Sequence, residues 1–406
     1  MKRILIFSIA YVPHVGGAEL AIKEITDRLG SDYEFDMITL RFDEKFPRVE
    51  KIGNVTVHRI GFTSSNVKVS DRALPWQCRL AKVLFPVTSF LKARALHRAH
   101  PYDLTWAMLA NQAGFGALFF SASLALRRTS KHVPYFLELQ DGNSLQEVRK
   151  RRPITTLVWP LYRAIYRHAD SIKAISNFIK DLAREVGFTG PIEVIPNGVD
   201  IARFSRELPS EDLAAMKRQL GKKMGDVFLF TASRLVLSRG VEDIIHALPS
   251  LPENVKLVVA GDGEDRSKLE QIAKDAGVRE RVNFVGHIDH AALPKYFKAA
   301  DIFVRPSIIE GMGSAFIEAF AAGIPVVATP VGGIPDFLIE GETGLFCNVR
   351  DPESIAQAVQ KYIDNPALTE HVTRNAKALA QEKYDWTLIS KSMKERVFEA
   401  LIEKRK

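Results

Sequence analysis

Short runs of apolar and β-branched residues alternate along this chain with stretches whose apolar positions recur at helical spacing. This is the pattern of parallel strands joined by crossover helices. Ile4–Ile9 reads as a first strand buried on both faces, and Ala18–Leu29 as the helix after a glycine turn. Phe35–Leu40, Val55–Ile60, Leu104–Met108, Tyr135–Leu139, Ser171–Ile175 and Ile192–Ile195 continue the strands. After the turn signal Pro196-Asn197-Gly198 the pattern restarts. Phe228–Ala232 is a strand and Val241–Ala247 a helix, followed by strands at Leu257–Ala260, Val282–Val285, Ile302–Val304 and Pro325–Ala328. The expectation is two successive α/β domains with doubly wound sheets, residues 1–200 and 201–378. A tail helix over 379–406 carries Leu388, Met393, Val397, Phe398 and Leu401. Ligands of such sheets bind beyond the carboxyl ends of the strands, so a cleft between the two is the expected active site.

Composition narrows the class. A chain of 406 residues exceeds one comfortable core, and 46% hydrophobic with 26% charged residues is ordinary for a globular enzyme. No apolar run approaches the roughly 18 residues that span a bilayer. The start, Lys2-Arg3 then Ile4–Ala10, has an apolar run too short for a secretory signal, with Pro13, His14 and Glu19 where cleavage would fall. Cys78 and Cys347 are far apart and form no CxxC pair, which argues against a disulfide framework or cysteine metal site. A cytoplasmic setting is expected.

The net charge of +8 is uneven: residues 1–200 carry +9 and the remainder −1, and within 51–100 nine basic residues face one acid, Asp71. The excess fits either a solvated face or attraction to an anionic partner. No nucleic-acid motif accompanies it, so a phospholipid surface or lipid-phosphate acceptor is the expected partner rather than nucleic acid. The segment 72–100 interleaves Leu74, Trp76, Leu80, Val83, Leu84, Phe85, Phe90 and Leu91 with Arg72, Arg79, Lys82, Lys92, Arg94 and Arg98. It reads equally as an interfacial amphipathic stretch or as a core helix with snorkelling cations, and Pro75 and Pro86 are expected to break it into pieces.

Three stretches carry candidate chemistry. Gly16-Gly17-Ala18-Glu19 opens the first helix, where glycine lets backbone N–H groups approach an anion at the positive end of the helix dipole. A tight turn without a ligand would look the same, and neither GxGxxG nor a GxxxxGK[ST] loop is present. Arg234 and Arg239, in Ser233-Arg234-Leu235-Val236-Leu237-Ser238-Arg239-Gly240, flank a loop at a sheet's carboxyl edge. There two guanidiniums can converge on one phosphate or serve as surface charge. Glu310 and Glu318 bracket Gly311-Met312-Gly313-Ser314. Helical spacing would set the two carboxylates about 80° apart around one axis, with free N–H groups at Gly313 and Ser314 for a phosphate. The apolar neighbours Ala319–Ala322 sit poorly with a merely solvated Glu318.

Taken in order, these pieces resemble the retaining glycosyltransferases of family 4, which have the GT-B fold of two Rossmann-like domains facing across a cleft. The matching segments are Gly16-Gly17-Ala18-Glu19, Ile195-Pro196-Asn197-Gly198-Val199-Asp200, Ser233-Arg234-Leu235 with Arg239-Gly240, Val259-Ala260-Gly261-Asp262-Gly263, Arg305-Pro306-Ser307 with Glu310 and Glu318, Gly323-Ile324-Pro325-Val326-Val327-Ala328, and Gly332-Gly333. The resemblance implies that Arg234 and Arg239 grip a nucleotide-sugar donor's diphosphate, Glu318 holds the ribose and Glu310 the hydroxyls of the transferred hexose. Backbone at Gly16-Gly17 and Gly313-Ser314 would contact phosphate, the loop at Gly286-His287-Ile288 the base, and the tail helix would return to the first domain.

Two positions depart from the family. Arg239 replaces a common lysine and keeps its charge. Gln140, in Glu138-Leu139-Gln140-Asp141-Gly142, replaces a histidine and cannot transfer a proton, leaving Asp141 as the polar or basic group on the acceptor side. The expected reaction is metal-independent and cofactor-free, with arginines and helix N-termini stabilising the leaving diphosphate. A front-face route, in which that phosphate takes the acceptor proton, would explain the missing histidine. The acceptor implied is a glycan or lipid-linked glycan at the inner membrane face, in cell-surface polysaccharide or glycolipid synthesis. The rival readings are a catalytically silent nucleotide-sugar-binding protein and a nucleotide-sugar epimerase.

Overall fold

The computed structural model describes residues 1–14, 16–65, 67, 74–125, 132–142 and 153–404, the side chains of 153–158 excepted. It divides into two compact units, Met1–Asn197 together with Trp386–Lys406, and Gly198–Asp385. The first unit holds an eight-stranded sheet: β1 Lys2–Phe7, β2 Tyr33–Leu40, β3 Val49–Ile52, β4 Val55–Ile60, β5 Leu104–Met108, β6 Tyr135–Leu139, β7 Ser171–Ala174 and β8 Ile192–Val194. They lie in the order β3-β4-β2-β1-β5-β6-β7-β8, all parallel except β3, which runs antiparallel to β4. The sequence pattern shows no strand at β3. Its alternation of exposed Val49 and Lys51 with half-buried Glu50 and Ile52 is that of a charged edge, closed onto β4 through Gly53-Asn54.

The second unit is a six-stranded parallel sheet: β9 Val227–Ala232, β10 Val255–Ala260, β11 Val282–Gly286, β12 Ile302–Arg305, β13 Val326–Ala328 and β14 Leu345–Phe346, ordered β11-β10-β9-β12-β13-β14. β14, only two residues long, is too short for any periodicity to reveal. Each sheet reverses its strand order once, between β1 and β5 in the first unit and between β9 and β12 in the second. The loops after those strands open the crevice where α/β sheets take their ligands.

Two expectations for the helices are corrected. The tail is not one helix from 379. A helix Pro366–Lys383 ends before Tyr384, and a new one begins at Trp386. From there Trp386, Ile389, Met393, Val397, Phe398 and Leu401 complete the core of the first unit. The Phe398 ring packs 5.4 Å from Tyr33, 5.8 Å from Trp106 and 5.8 Å from Phe136, centre to centre. Lys394 and Arg396 fasten the segment to Asp32 and Glu193.

Pro86 does not break the basic stretch either: Trp76–Ala99 is a single 24-residue helix, and residues 72 and 73 of the predicted segment lie outside the described residues. Proline removes one N–H and crowds the preceding turn. The turns on either side of it nonetheless bury Cys78, Ala81, Phe85, Ser89 and Ala93 as one continuous stripe. The neighbouring helix Gln112–Ala125 comes so close that a Cβ on Gly116 would stand 2.3 Å from Ser89 Oγ. Both cysteines are buried and unbridged.

Candidate active site

In the second unit the switch-point loops gather the predicted residues. Arg234 leaves the end of β9 exposed to solvent, and among the described residues no side chain pairs with it. One short helical turn later, Arg239 donates to Ile309 O at 3.0 Å and to Glu310 Oε2 at 2.8 Å. Gly240 makes this approach available. Its φ is +73°, and a Cβ there would stand 2.0 Å from Pro306 O, so the Arg239 turn lies directly on the loop that follows β12.

Arg305, at the end of β12, is the residue that sequence reasoning left without a role. Buried, it donates to the same Glu310 Oε2 that Arg239 reaches. Burial lowers the Arg305 guanidinium from its ordinary pKa, opposed first by Glu310, reinforced by Arg239 and opposed again by Glu318. These four groups therefore share one electrostatic neighbourhood. Oε2 of Glu310 also lies 3.5 Å from Ser307 Oγ, whereas Oε1 has no partner among the described residues. Two cations thus hold the carboxylate in place by one oxygen and leave the other for a ligand.

The helical spacing drawn from Glu310 to Glu318 does not apply. The helix covers only Ser314–Ala322, with Gly313 at φ +85° as its cap, so Glu310 stands in the preceding loop. That loop is held from behind by Gly332, where a Cβ would fall 1.7 Å from Glu310 O. No side chain caps the helix start, which leaves the amides at the Ser314 end unmet by a capping side chain. Glu318, buried, accepts a 3.0 Å hydrogen bond at Oε1 from His290 Nε2, and His290 in turn packs 5.7 Å from the Phe204 ring. His290 escaped the sequence reading, which singled out His287 and Ile288. His287 is strongly exposed and lies 3.9 Å from Asp289, and Ile288 is half-buried in the same loop after β11.

The first unit builds a second constellation from its own loops. Gly16 N–H donates to Glu19 Oε2 at 2.8 Å, so that amide is already taken at this turn, and the helix itself begins at Gly17. A Cβ on Gly17 would lie 3.8 Å from Gln140 Oε1 and 3.9 Å from Asn197 Nδ2. The turn after β1 and the residue after β6 are therefore close neighbours. Gln140 Nε2 donates to Glu138 Oε1 at 2.6 Å, and Gln140 Oε1 accepts from Asn197 Nδ2 at 3.0 Å. The amide's orientation follows from chemistry, because an ionised Glu138 can only accept.

Glu138 is fully buried and takes two further donors, Lys173 Nζ at 2.6 Å and Trp106 Nε1 at 3.0 Å. A charged pair in a strand interior is tolerable only when satisfied in this way. Its effect here is to clamp Gln140. Asp141 lines a small open pocket with Leu109, Tyr162, Tyr166 and Ile179. Burial raises the Tyr162 hydroxyl above its ordinary pKa, and Asp141 adds to the rise. Among the described residues, no group of three or more His, Cys, Asp or Glu side chains is placed to hold a metal ion.

Comparison with known proteins covers both halves. Residues 213–379 match the Glycosyl transferases group 1 family, and residues 15–203 match Glycosyltransferase Family 4. Over 385 residues the chain is 28% identical to an uncharacterized glycosyltransferase of Methanocaldococcus jannaschii, covering 93% of each. Its fold is that of sucrose-phosphate synthase from Thermosynechococcus elongatus, at 22% identity, full coverage of both chains and a TM-score of 0.82. It is also that of Anabaena HepE in complex with UDP-glucose, at 22% identity, a TM-score of 0.76, and coverage of 98% of this chain and 100% of that one. Matched along both Rossmann-like units, the chain belongs to the family 4-like glycosyltransferases of the GT-B fold.

Proposed function

We propose that this enzyme transfers a hexose from a UDP- or GDP-linked donor to a glycan or lipid-linked acceptor, with retention of the anomeric configuration. The reading is carried by the second unit's switch point, where Arg234 and Arg239 come from the segment after β9, Arg305 from the end of β12, and Glu310 and Glu318 from the loop and helix that follow it. Arg234 and Arg239 supply the charge that offsets a diphosphate, aided by the amides at Gly313-Ser314. Glu318 accepts from ribose hydroxyls, and Glu310 presents Oε1 to hydroxyls of the sugar. HepE's complex with UDP-glucose supports a uridine donor on the same fold.

In the proposed step the bond from the anomeric carbon to the diphosphate oxygen breaks, and the bond to the acceptor oxygen forms on the same face. The acceptor proton passes to the departing phosphate. Arginines and helix amides stabilise the charge that develops there without a divalent cation or cofactor. Gln140 and Asp141 stand on the acceptor side, with Gln140 as a fixed hydrogen-bonding group rather than a proton carrier. An acceptor in cell-surface polysaccharide or glycolipid synthesis fits the basic first unit.

The test is a panel of UDP- and GDP-hexoses assayed for nucleotide-diphosphate release with membrane lipid extract as acceptor, in the presence of EDTA, with the product's anomeric configuration read by NMR. Release from at least one donor and a retained linkage are expected. Silence across the panel, dependence on added metal, or inversion would each overturn the part concerned. Gln140→Ala is expected to cost about tenfold in kcat, the value of one or two neutral hydrogen bonds. Glu310→Gln should cost about a hundredfold or more. Glutamine is the informative substitution there, because alanine would strand buried Arg305 and confound chemistry with folding. The opposite ranking would move the chemistry to position 140.

A further inference from the structure

The helix Trp76–Ala99 has two apolar faces. Cys78, Ala81, Phe85, Ser89 and Ala93 face the core. On the opposite side Trp76, Leu80, Val83, Leu84, Val87 and Leu91 are exposed, with Trp76 at 69% and Val83 at 70% of their full accessibility. At 100° per residue these six fall within about 100° of one another, centred nearly opposite the buried stripe, and run for about 22 Å. They make up six of the fourteen large hydrophobic residues exposed among the described residues, so the clustering is a property of this one face. Isolated exposed hydrophobics are common, whereas a continuous stripe marks a surface with a partner.

Charge selects that partner. The helix contains Arg79, Lys82, Lys92, Arg94 and Arg98 and no acidic residue. Arg79 lies at the margin of the stripe, and Arg94 and Arg98 continue its line after Leu91. A second copy of the chain would bring like charges together across a symmetric contact. Anionic phospholipid meets both features, with acyl chains for the apolar stripe and headgroups for the arginines. No helix among the described residues is long and apolar enough to cross a bilayer. We propose that the outward face of Trp76–Ala99 lies in the interface of an anionic membrane, with Trp76 to Leu91 seated at the headgroup boundary and Arg94 and Arg98 on its phosphates.

The test uses the full chain and sedimentation with vesicles of phosphatidylcholine containing about 30% phosphatidylglycerol at low salt, where screening is weakest. The protein is expected to pellet, at least about tenfold more than with phosphatidylcholine alone. Trp76→Phe should remove a blue shift of tryptophan emission on binding. Val83→Glu with Val87→Glu, at two exposed positions, should reduce vesicle binding about tenfold or more. The same variant should keep the melting temperature and its rise on adding UDP. Undiminished pelleting by that variant, or no binding by the wild type, would overturn the proposal. So would a concentration-dependent dimer, seen by light scattering, that the variant disperses. Because the UDP-dependent rise reads occupancy of the donor site and not the outward face of this helix, it separates failure here from failure of the proposed donor chemistry.

Discussion

Arg234→Ala is expected to lower kcat/KM for the donor by roughly a hundred- to a thousandfold, the loss that follows removal of one preorganised charge partner. Its melting temperature should stay near that of the wild type. Arg234 suits the experiment because it is exposed and has no partner among the described residues, so deletion leaves nothing buried without compensation. Arg239 would be a poorer choice, since it also holds Glu310 and Ile309 O. Arg234→Lys should recover only part of the loss, because an ammonium cannot reproduce a planar two-point contact with phosphate. Steady-state rates against donor concentration, together with a thermal melt, decide the matter. A fully active, fully folded Arg234→Ala would mean that no phosphate is held at this loop.

Glu318→Ala should raise the donor KM about ten- to a hundredfold and change kcat much less. Ribose contacts are made equally in the ground and transition states, and hydrogen bonds to a charged acceptor are worth about 1.5–3 kcal/mol. His290, now bonded to Glu318, would be left half-exposed and able to reach water, so a modest stability loss is expected. Competition between UDP and the donor, measured on both proteins, locates the effect: the affinity for UDP should fall in parallel with that for the donor. An unchanged KM accompanied by a collapsed kcat would place Glu318 at the reacting carbon instead.

Much of this architecture is legible because buried parallel strands are apolar without interruption. The stretches at Val55–Ile60, Leu104–Met108 and Tyr135–Leu139 stand out for that reason. β3 escapes because an edge strand meets water on one side and carries Glu50 and Lys51. The continuity of Trp76–Ala99 across Pro86 is set by packing on a neighbouring helix, which local propensity does not contain. Its two opposed apolar faces also cancel in any measure of amphipathicity.

At the site, residue types were readable and their partners were not. Arg305 closes an apolar strand and precedes a proline, and the sequence signal available was that a cation at such a place needs a nearby carboxylate, here Glu310. His290 has no comparable signal. It reaches Glu318 only because the loop after β11 and the helix after β12 converge in three dimensions.

The return of Trp386–Leu401 to the first unit bears on how the chain is made. Translation finishes β1 to β8 long before Phe398 exists, so the hydrophobic layer around Tyr33, Trp106 and Phe136 lacks one wall throughout synthesis of the second unit. The second unit is contiguous in sequence and has every strand of its sheet once Phe346 has emerged. The half that leaves the ribosome first is thus the last to close, and its unfinished core is the surface a nascent-chain chaperone would have to shield.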